Sequence, residues 1–233
     1  MRDPARVSLV IPALNEESSL PLVLDALPRP LIHEIIVVDN GSTDRTGDVA
    51  RERGARVLRE DRRGYGSACL TGIASVDDPD VVAFVDADFS DDPSELPLLL
   101  APILEDRADL VIGSRMIGPR EPGALLPQAL FGNWLATRLI RWFWGVRFTD
   151  LGPFRAIRAD RLRDLAMADR DFGWTVEMQV KAAQRGLRCA EVPVSYRRRV
   201  GKSKITGTIS GTLRASHKIL GTIFRAAASR TSR

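Results

Sequence analysis

Val81-Val-Ala-Phe-Val-Asp86-Ala-Asp88 is a five-residue apolar run that stops on two carboxylates. A short run without polar alternation suits a strand buried on both faces, as in a parallel sheet. Outward from it, the same unit recurs. Val7-Ser-Leu-Val-Ile11, closed by Pro12, precedes a helical pattern over 16–27 with Leu20, Val23, Leu24 and Leu27 on one face. Glu34-Ile-Ile-Val-Val38 ends at Asp39-Asn-Gly-Ser-Thr-Asp44, where Asn-Gly makes a turn and Ser42, Thr43 or Asp44 can cap a helix reaching Arg53. Residues 56–59 read as a third strand, and 67–75 as a helix after Gly64-Tyr-Gly66. Past the central run, 94–104 predicts a helix and Ala108-Asp-Leu-Val-Ile112 a fifth strand. Strands alternating with helices imply right-handed βαβ units and a mainly parallel, twisted α/β sheet flanked by helices.

Beyond Gly118 the alternation stops. Residues 128–143 predict an aromatic-rich helix carrying Phe131, Trp134, Trp142 and Phe143, with Trp144 following. A short strand over 154–157, a helix over 174–185 and a strand over 188–196 come next. The basic loop 197–204 leads to a last helix over 205–228, with Ile205, Ile209, Leu213, Leu220, Ile223 and Ala227 on one stripe. The chain thus divides as 1–118, 119–204 and 205–233 within a single domain.

The 233 residues are 44% hydrophobic and 27% charged, which excludes disordered and collagenous chains. The two cysteines, Cys69 and Cys189, form no CxxC pair and suit a reducing cytoplasm. No stretch reaches the roughly 18 uninterrupted apolar residues that cross a bilayer, and 125–146 is broken by Arg138 and Arg141. The N-terminus lacks the apolar segment of a signal peptide. These features predict an intracellular protein without a membrane span. Charge is unevenly spread: residues 192–233 hold ten basic side chains and no acidic one, leaving 24 basic against 30 acidic in the rest. A basic tail on an acidic body points to an anionic partner.

Ligands of open parallel sheets bind beyond the carboxyl ends of the strands. Glu16, Asp39 and the Asp86-Ala-Asp88 pair all fall at such ends. Residues i and i+2 of an extended segment share a side, so Asp86 and Asp88 can address one ligand. Converging carboxylates need a compensating cation, and an oxygen-only set suits Mg²⁺ or Mn²⁺ shared with a ligand's phosphates. Gly64-Tyr-Gly66 does not read as a dinucleotide fingerprint; its glycines either admit a close backbone approach or end a strand.

In order along the chain stand Val10-Ile-Pro-Ala-Leu-Asn-Glu-Glu17, Ile36-Val-Val-Asp-Asn-Gly-Ser-Thr-Asp44, Gly64-Tyr-Gly-Ser-Ala68, Asp86-Ala-Asp88 and Gly113-Ser-Arg115. Thr149-Asp-Leu-Gly-Pro-Phe-Arg155, Glu177 and Arg198-Arg-Val-Gly-Lys-Ser-Lys204 follow. Together they resemble the family 2 inverting glycosyltransferases, in their dolichyl-phosphate mannose synthase-like branch. The resemblance implies a GT-A fold: a nucleotide-sugar-binding half (1–118), an acceptor-binding half (119–204) and a basic amphipathic C-terminal helix. It implies nucleotide-sugar contacts from Pro12, Leu14, Glu16, Asp39, Gly64, Asp86, Ala87, Asp88 and Arg115. Asp86 and Asp88 are the implied metal ligands. Arg198, Ser203 and Lys204 are the implied acceptor-phosphate residues, and Asp88, Arg115, Asp150, Arg198 and Lys204 the implied catalytic set. The chain departs from relatives that carry a cation just before the Asn of the aromatic helix: Asn133 follows Gln128-Ala-Leu-Phe-Gly132.

The implied reaction moves a hexose from a nucleotide-sugar of the GDP-mannose or UDP-glucose type to a polyprenyl or dolichyl phosphate, with inversion. A phosphomonoester, with a second pKa near ~6, is already ionised at neutral pH and needs cations rather than a base. A hydroxyl acceptor would need one, and Asp150 is the candidate. The aromatic helix and basic tail suit peripheral contact with the cytoplasmic face of a membrane, and the aromatic helix also suits a homodimer contact. A metal-dependent nucleic-acid protein is the remote alternative; no aromatics interleave with the basic tail as stacking platforms, so no nucleic-acid partner is expected.

Overall fold

A computed structural model describes residues 5–201 and 218–228. Seven strands form one sheet: β1 (Val7–Ala13), β2 (Glu34–Asp39), β3 (Arg56–Arg59), β4 (Val81–Phe84), β5 (Leu110–Ser114), β6 (Arg155–Arg158) and β7 (Cys189–Pro193). Their order is β3-β2-β1-β4-β6-β5-β7. All pairings are parallel except those of β6, which runs antiparallel between β4 and β5. Strands from beyond residue 118 therefore complete the sheet begun by the first half.

Side-chain alternation along the strands builds two apolar layers. Val7, Leu9 and Ile11 of β1 and Val81 and Ala83 of β4 face Leu20, Val23 and Leu24 of α1 (Leu20–Ala26) and Leu96 and Leu99 of α4 (Leu96–Leu104). Val10, Val82 and Phe84 face the other way. They meet Ala68 and Cys69 of α3 (Tyr65–Ile73), Ala136 and Ile140 of α5 (Pro127–Trp144) and Trp174 and Met178 of α7 (Trp174–Gln184). Two further helices are α2 (Thr46–Glu52) and α6 (Ala159–Leu165). The sequence reading did not anticipate α6, a two-turn helix that buries Ala159, Leu162 and Leu165 at i, i+3 and i+6.

Pro12 does not close β1, as the sequence suggested; the strand continues to Ala13, with Pro12 opposite Val38 of β2. The reason lies in which neighbour each residue faces. Val10 accepts from Val85 on the β4 side, whereas Ala13 accepts from Asn40 on the β2 side. Pro12 shares the β4-facing side with Val10, and the β1–β4 register ends at Val10–Phe84. Its missing N–H thus falls where no ladder bond is needed. Beyond that point β1 and β4 part and open the crevice that holds the site.

The last described segment, 218–228, is helical and packs on the α5–α7 layer through Ile219, Ile223 and Ala226. The expected stripe through Leu220, Ile223 and Ala227 is thus displaced by one residue at two of its three positions. Its earlier members, and the expected site residues Ser203 and Lys204, lie outside the described residues.

Candidate active site

A cavity of about 300 Å³ opens at the carboxyl ends of β1, β2 and β4. Seven residues expected from sequence line it: Pro12, Leu14, Glu16, Gly64, Asp86, Ala87 and Asp88. Strand geometry explains the grouping, because the β1 and β4 ends flank the point where the chain switches direction across the sheet. The remaining wall comes from Asn40, Arg63, Tyr65, Asp171, Phe172 and Arg199, among others.

The two expected metal ligands differ in environment. Asp88 is buried and accepts from the Ser90 N–H (2.9 Å) and hydroxyl (2.5 Å) through Oδ1. Its Oδ2 holds the Arg199 guanidinium, which also lies 4.0 Å from Glu16. Asp86 accepts from the Tyr65 hydroxyl at 3.0 Å. Burial, then the charge of Asp88, push the Asp86 carboxyl up to about 7, against the pull of Tyr65 and of Arg199 and Arg115. Two carboxylates at the end of one strand, with water and a ligand's phosphates to complete the shell, fit a divalent ion of the Mg²⁺ or Mn²⁺ kind. Among the described residues no group of three or more His, Cys, Asp or Glu side chains is placed to hold a metal ion.

Gly64 and Gly66 are required by the chain itself. A Cβ on either would lie 2.1 Å from a backbone oxygen of the 169–170 segment, and Ser67 N donates to Arg170 O (2.9 Å). The close approach left open by the sequence is thus made by protein backbone, which brings Asp171 and Phe172 to the cavity. Glu177 holds that segment by accepting from the Ala168 and Asp169 N–H groups.

Asp39 sits beside the cavity rather than on its wall: it accepts from Ser42 N (2.7 Å) and lies 3.6 Å from Arg59. Its neighbour Asn40 lines the cavity and accepts from Gly64 N through Oδ1 (2.8 Å).

Arg115 and Asp150 form a built pair. Asp150 is fully buried, and Arg115 reaches it through Nε, Nη2 and its backbone N at 2.7, 2.7 and 2.9 Å. Burial alone would raise the Asp150 carboxyl; the Arg115 guanidinium overrides it and holds the group below the usual carboxylate range. Asn133 clasps the Asp150 neighbours, donating to Thr149 O and accepting from Leu151 N (both 2.8 Å). Arg155 is fully buried and donates to the Leu151 and Thr175 carbonyls; burial pulls its guanidinium down to about 10. Both oxygens of Asp150, the candidate general base, are thus bonded to Arg115 and closed to solvent. Arg115 stacks on Tyr196 (5.0 Å) and lies behind the cavity rather than on its wall.

Arg198, expected at the acceptor phosphate, lies near the cavity's rim rather than on its wall. Its guanidinium donates to Pro122 O and its N–H to Glu121. Arg199, one residue on, takes the position at Asp88. Sequence reasoning missed Arg199, although the alternation applied to Asp86 and Asp88 applies equally to Arg197 and Arg199. It also missed Tyr65, Asp171 and Phe172, which only the long-range approach of 169–171 brings in.

Residues 8–165 match the family model described as glycosyl transferase family 2. Over 215 residues the chain is 42% identical to an uncharacterized glycosyltransferase of Mycobacterium tuberculosis, covering 89% of this chain and 93% of the relative. It is 36% identical to an undecaprenyl-phosphate mannosyltransferase of Micrococcus luteus (88% and 90% covered). To a dolichyl-phosphate hexose transferase of Haloferax volcanii it is 33% identical (85% and 86%). Among solved structures, glucosyl-3-phosphoglycerate synthase of Mycobacterium tuberculosis, in complex with Mn²⁺, uridine-diphosphate-glucose and phosphoglyceric acid, superposes with a TM-score of 0.77. That match is 25% identical over 96% of this chain and 80% of the other. The sheet and its crevice are of the GT-A type. With the family model covering more than half its length and such relatives beside it, the chain is a glycosyltransferase and belongs to glycosyl transferase family 2.

Proposed function

We propose that this enzyme moves a hexose from a nucleotide-sugar of the GDP-mannose or UDP-glucose type to a polyprenyl phosphate, with inversion, using Mg²⁺ or Mn²⁺. The observation that carries the reading is the cavity at the parting of β1 and β4, where Asp86, Asp88 and Arg199 share one wall. The names of the Micrococcus and Haloferax relatives support the lipid-phosphate acceptor. The Mn²⁺ and uridine-diphosphate-glucose of the mycobacterial synthase support the donor class.

Asp86 and Asp88 would hold the divalent ion, which when bound supplies positive charge to the departing diphosphate. The rest follows from this chain's residues. Pro12, Leu14 and the Gly64 turn enclose the nucleotide, with Asp39 and Asn40 at the base and ribose end. Asp150 fixes Arg115 as a permanently charged group behind the sugar and phosphates. The acceptor phosphate arrives already ionised, so its need is for cations, which the 197–204 stretch with Arg198, Ser203 and Lys204 supplies in this reading. The commitment of Asp150 to Arg115 favours such an acceptor over a hydroxyl that must lose a proton.

The acceptor is a membrane lipid, and we place the enzyme peripherally at the cytoplasmic face. Phe131, Trp134 and Trp142 of α5 are 63%, 51% and 77% exposed beside Arg138 and Arg141. No helix among the described residues is long and apolar enough to cross a membrane. An aromatic and cationic face of this kind suits an anionic leaflet, and Trp142→Ser is expected to weaken sedimentation with anionic vesicles. Transfer of labelled hexose from GDP-mannose or UDP-glucose to polyprenyl phosphate, extracted into organic solvent, tests the function. The expected result is lipid-linked product that EDTA and Asp88→Asn both abolish. Product on a hydroxyl acceptor alone would overturn the assignment.

A further inference from the structure

Residues 195–200 run back from β7 across the turn that follows Asp88, and alternate side chains meet successive acids. Ser195 donates to Glu95 through both its N–H and its hydroxyl (2.7 Å each). Arg197 donates to Asp92 at 2.6 Å, its guanidinium 4.4 Å from the Phe89 ring. Arg199 meets Asp88. Backbone bonds from Arg197 N to Ser90 O (2.8 Å) and Val200 N to Asp88 O (3.0 Å) fasten the strap. Of these three side chains, only Arg199 enters the cavity.

Two features set Arg199 apart. It occupies Oδ2 of Asp88, an oxygen the divalent ion would need, and its charge lies between Asp88 and Glu16. Its Nε is buried and has no hydrogen-bond partner among the described residues. An unmet buried donor is costly, and a guanidinium fork with a spare N–H matches a pair of phosphate oxygens. We propose that Arg199 is the resident counter-ion of Asp88: it competes with the divalent ion, and it releases the carboxylate when a nucleoside diphosphate offers its oxygens to the guanidinium. Metal and nucleotide binding then favour each other, since each relieves what blocks the other, and the coupling is reciprocal. This inference rests on the donor site proposed above.

The test is Mn²⁺ binding to the full chain, followed by the loss of the free-ion paramagnetic resonance signal, with and without GDP or UDP. Wild type is expected to take up Mn²⁺ weakly alone and about ten-fold or more tightly with its preferred diphosphate. Arg199→Ala is expected to bind Mn²⁺ alone about ten-fold more tightly than wild type and to lose most of the enhancement. Arg199→Lys, which keeps the charge without the fork, should still resist Mn²⁺ yet respond poorly to the diphosphate. Unchanged or weaker Mn²⁺ uptake by Arg199→Ala, with its melting temperature preserved, overturns the counter-ion role. A wild type that binds neither Mn²⁺ nor diphosphate overturns the donor site as well, and the two failures are distinct.

Discussion

Two arginine–aspartate pairs lie near the cavity beyond β1 and β4, and they are built for opposite ends. Arg115 and Asp150 join the end of β5 to the segment before β6, with side chains 14% and 0% exposed and three donors on one carboxylate. Arg199 and Asp88 join the strap to the end of β4, with side chains 30% and 9% exposed, one donor in use and another idle. In the first pair both carboxylate oxygens are taken and solvent reaches only part of the arginine. The second keeps an unmet donor and faces a cavity. Residue types alone do not separate a fixed brace from a contact that can be exchanged; the count of donors in use and the access of solvent do.

The largest expected effect tests the brace. Asp150→Ala leaves the Arg115 guanidinium largely buried without its partner, and breaking such a pair costs about 3–5 kcal/mol. Asp88→Asn, by contrast, removes a charge that Asp86 opposes, and Arg199 retains solvent access. Its urea midpoint is expected to stay close to that of wild type while transfer is lost. If the two variants destabilise equally in parallel urea melts, the distinction between brace and exchangeable contact fails.

Most of the first half was legible in sequence. The apolar runs from Val7 to Ile112 are dense and evenly spaced, so strand identity, parallel order and the rim on which Glu16 and Asp88 meet follow from local pattern alone. Three things were not. The place of β6 depends on Arg155-Ala-Ile-Arg158 pairing antiparallel with both β4 and β5, a choice that four residues do not encode by themselves. Phe172 reaches the cavity only because Gly64 and Gly66 admit the 169–171 backbone about a hundred residues away in sequence. The place of Arg199 was missed: in the run Arg197-Arg-Arg199 every residue offers the same chemistry, and only the strap's pairing with 88–95 decides that 197 and 199 face the acids while 198 faces Glu121 and Pro122.

A third carboxylate sharpens the comparison because no arginine among the described residues bonds to it. Asp91 is 1% exposed, and neither of its oxygens has a hydrogen-bond partner among the described residues. Burial, foremost, holds its carboxyl well above the ordinary range; nearby Arg115 opposes this, while Asp86, Asp88 and Asp150 add to it. The native state therefore keeps a proton that the unfolded chain gives up, so stability falls as pH rises from the ordinary carboxylate range through the raised folded value. Asp86 contributes a slope of the same sign, but one that ends near its own value of about 7. Loss of stability continuing above that pH includes the contribution of Asp91, which its Asn variant isolates. Asp91→Asn removes the ionisable group at nearly constant volume, and is expected to match wild type near pH 4 and to exceed it by about 1 kcal/mol at pH 8. Urea melts at the two pH values measure this. An Asn variant that is weaker at pH 8 would mean that Asp91 has a charged partner in solution, and that all three carboxylates of this rim, not two, are held by cations.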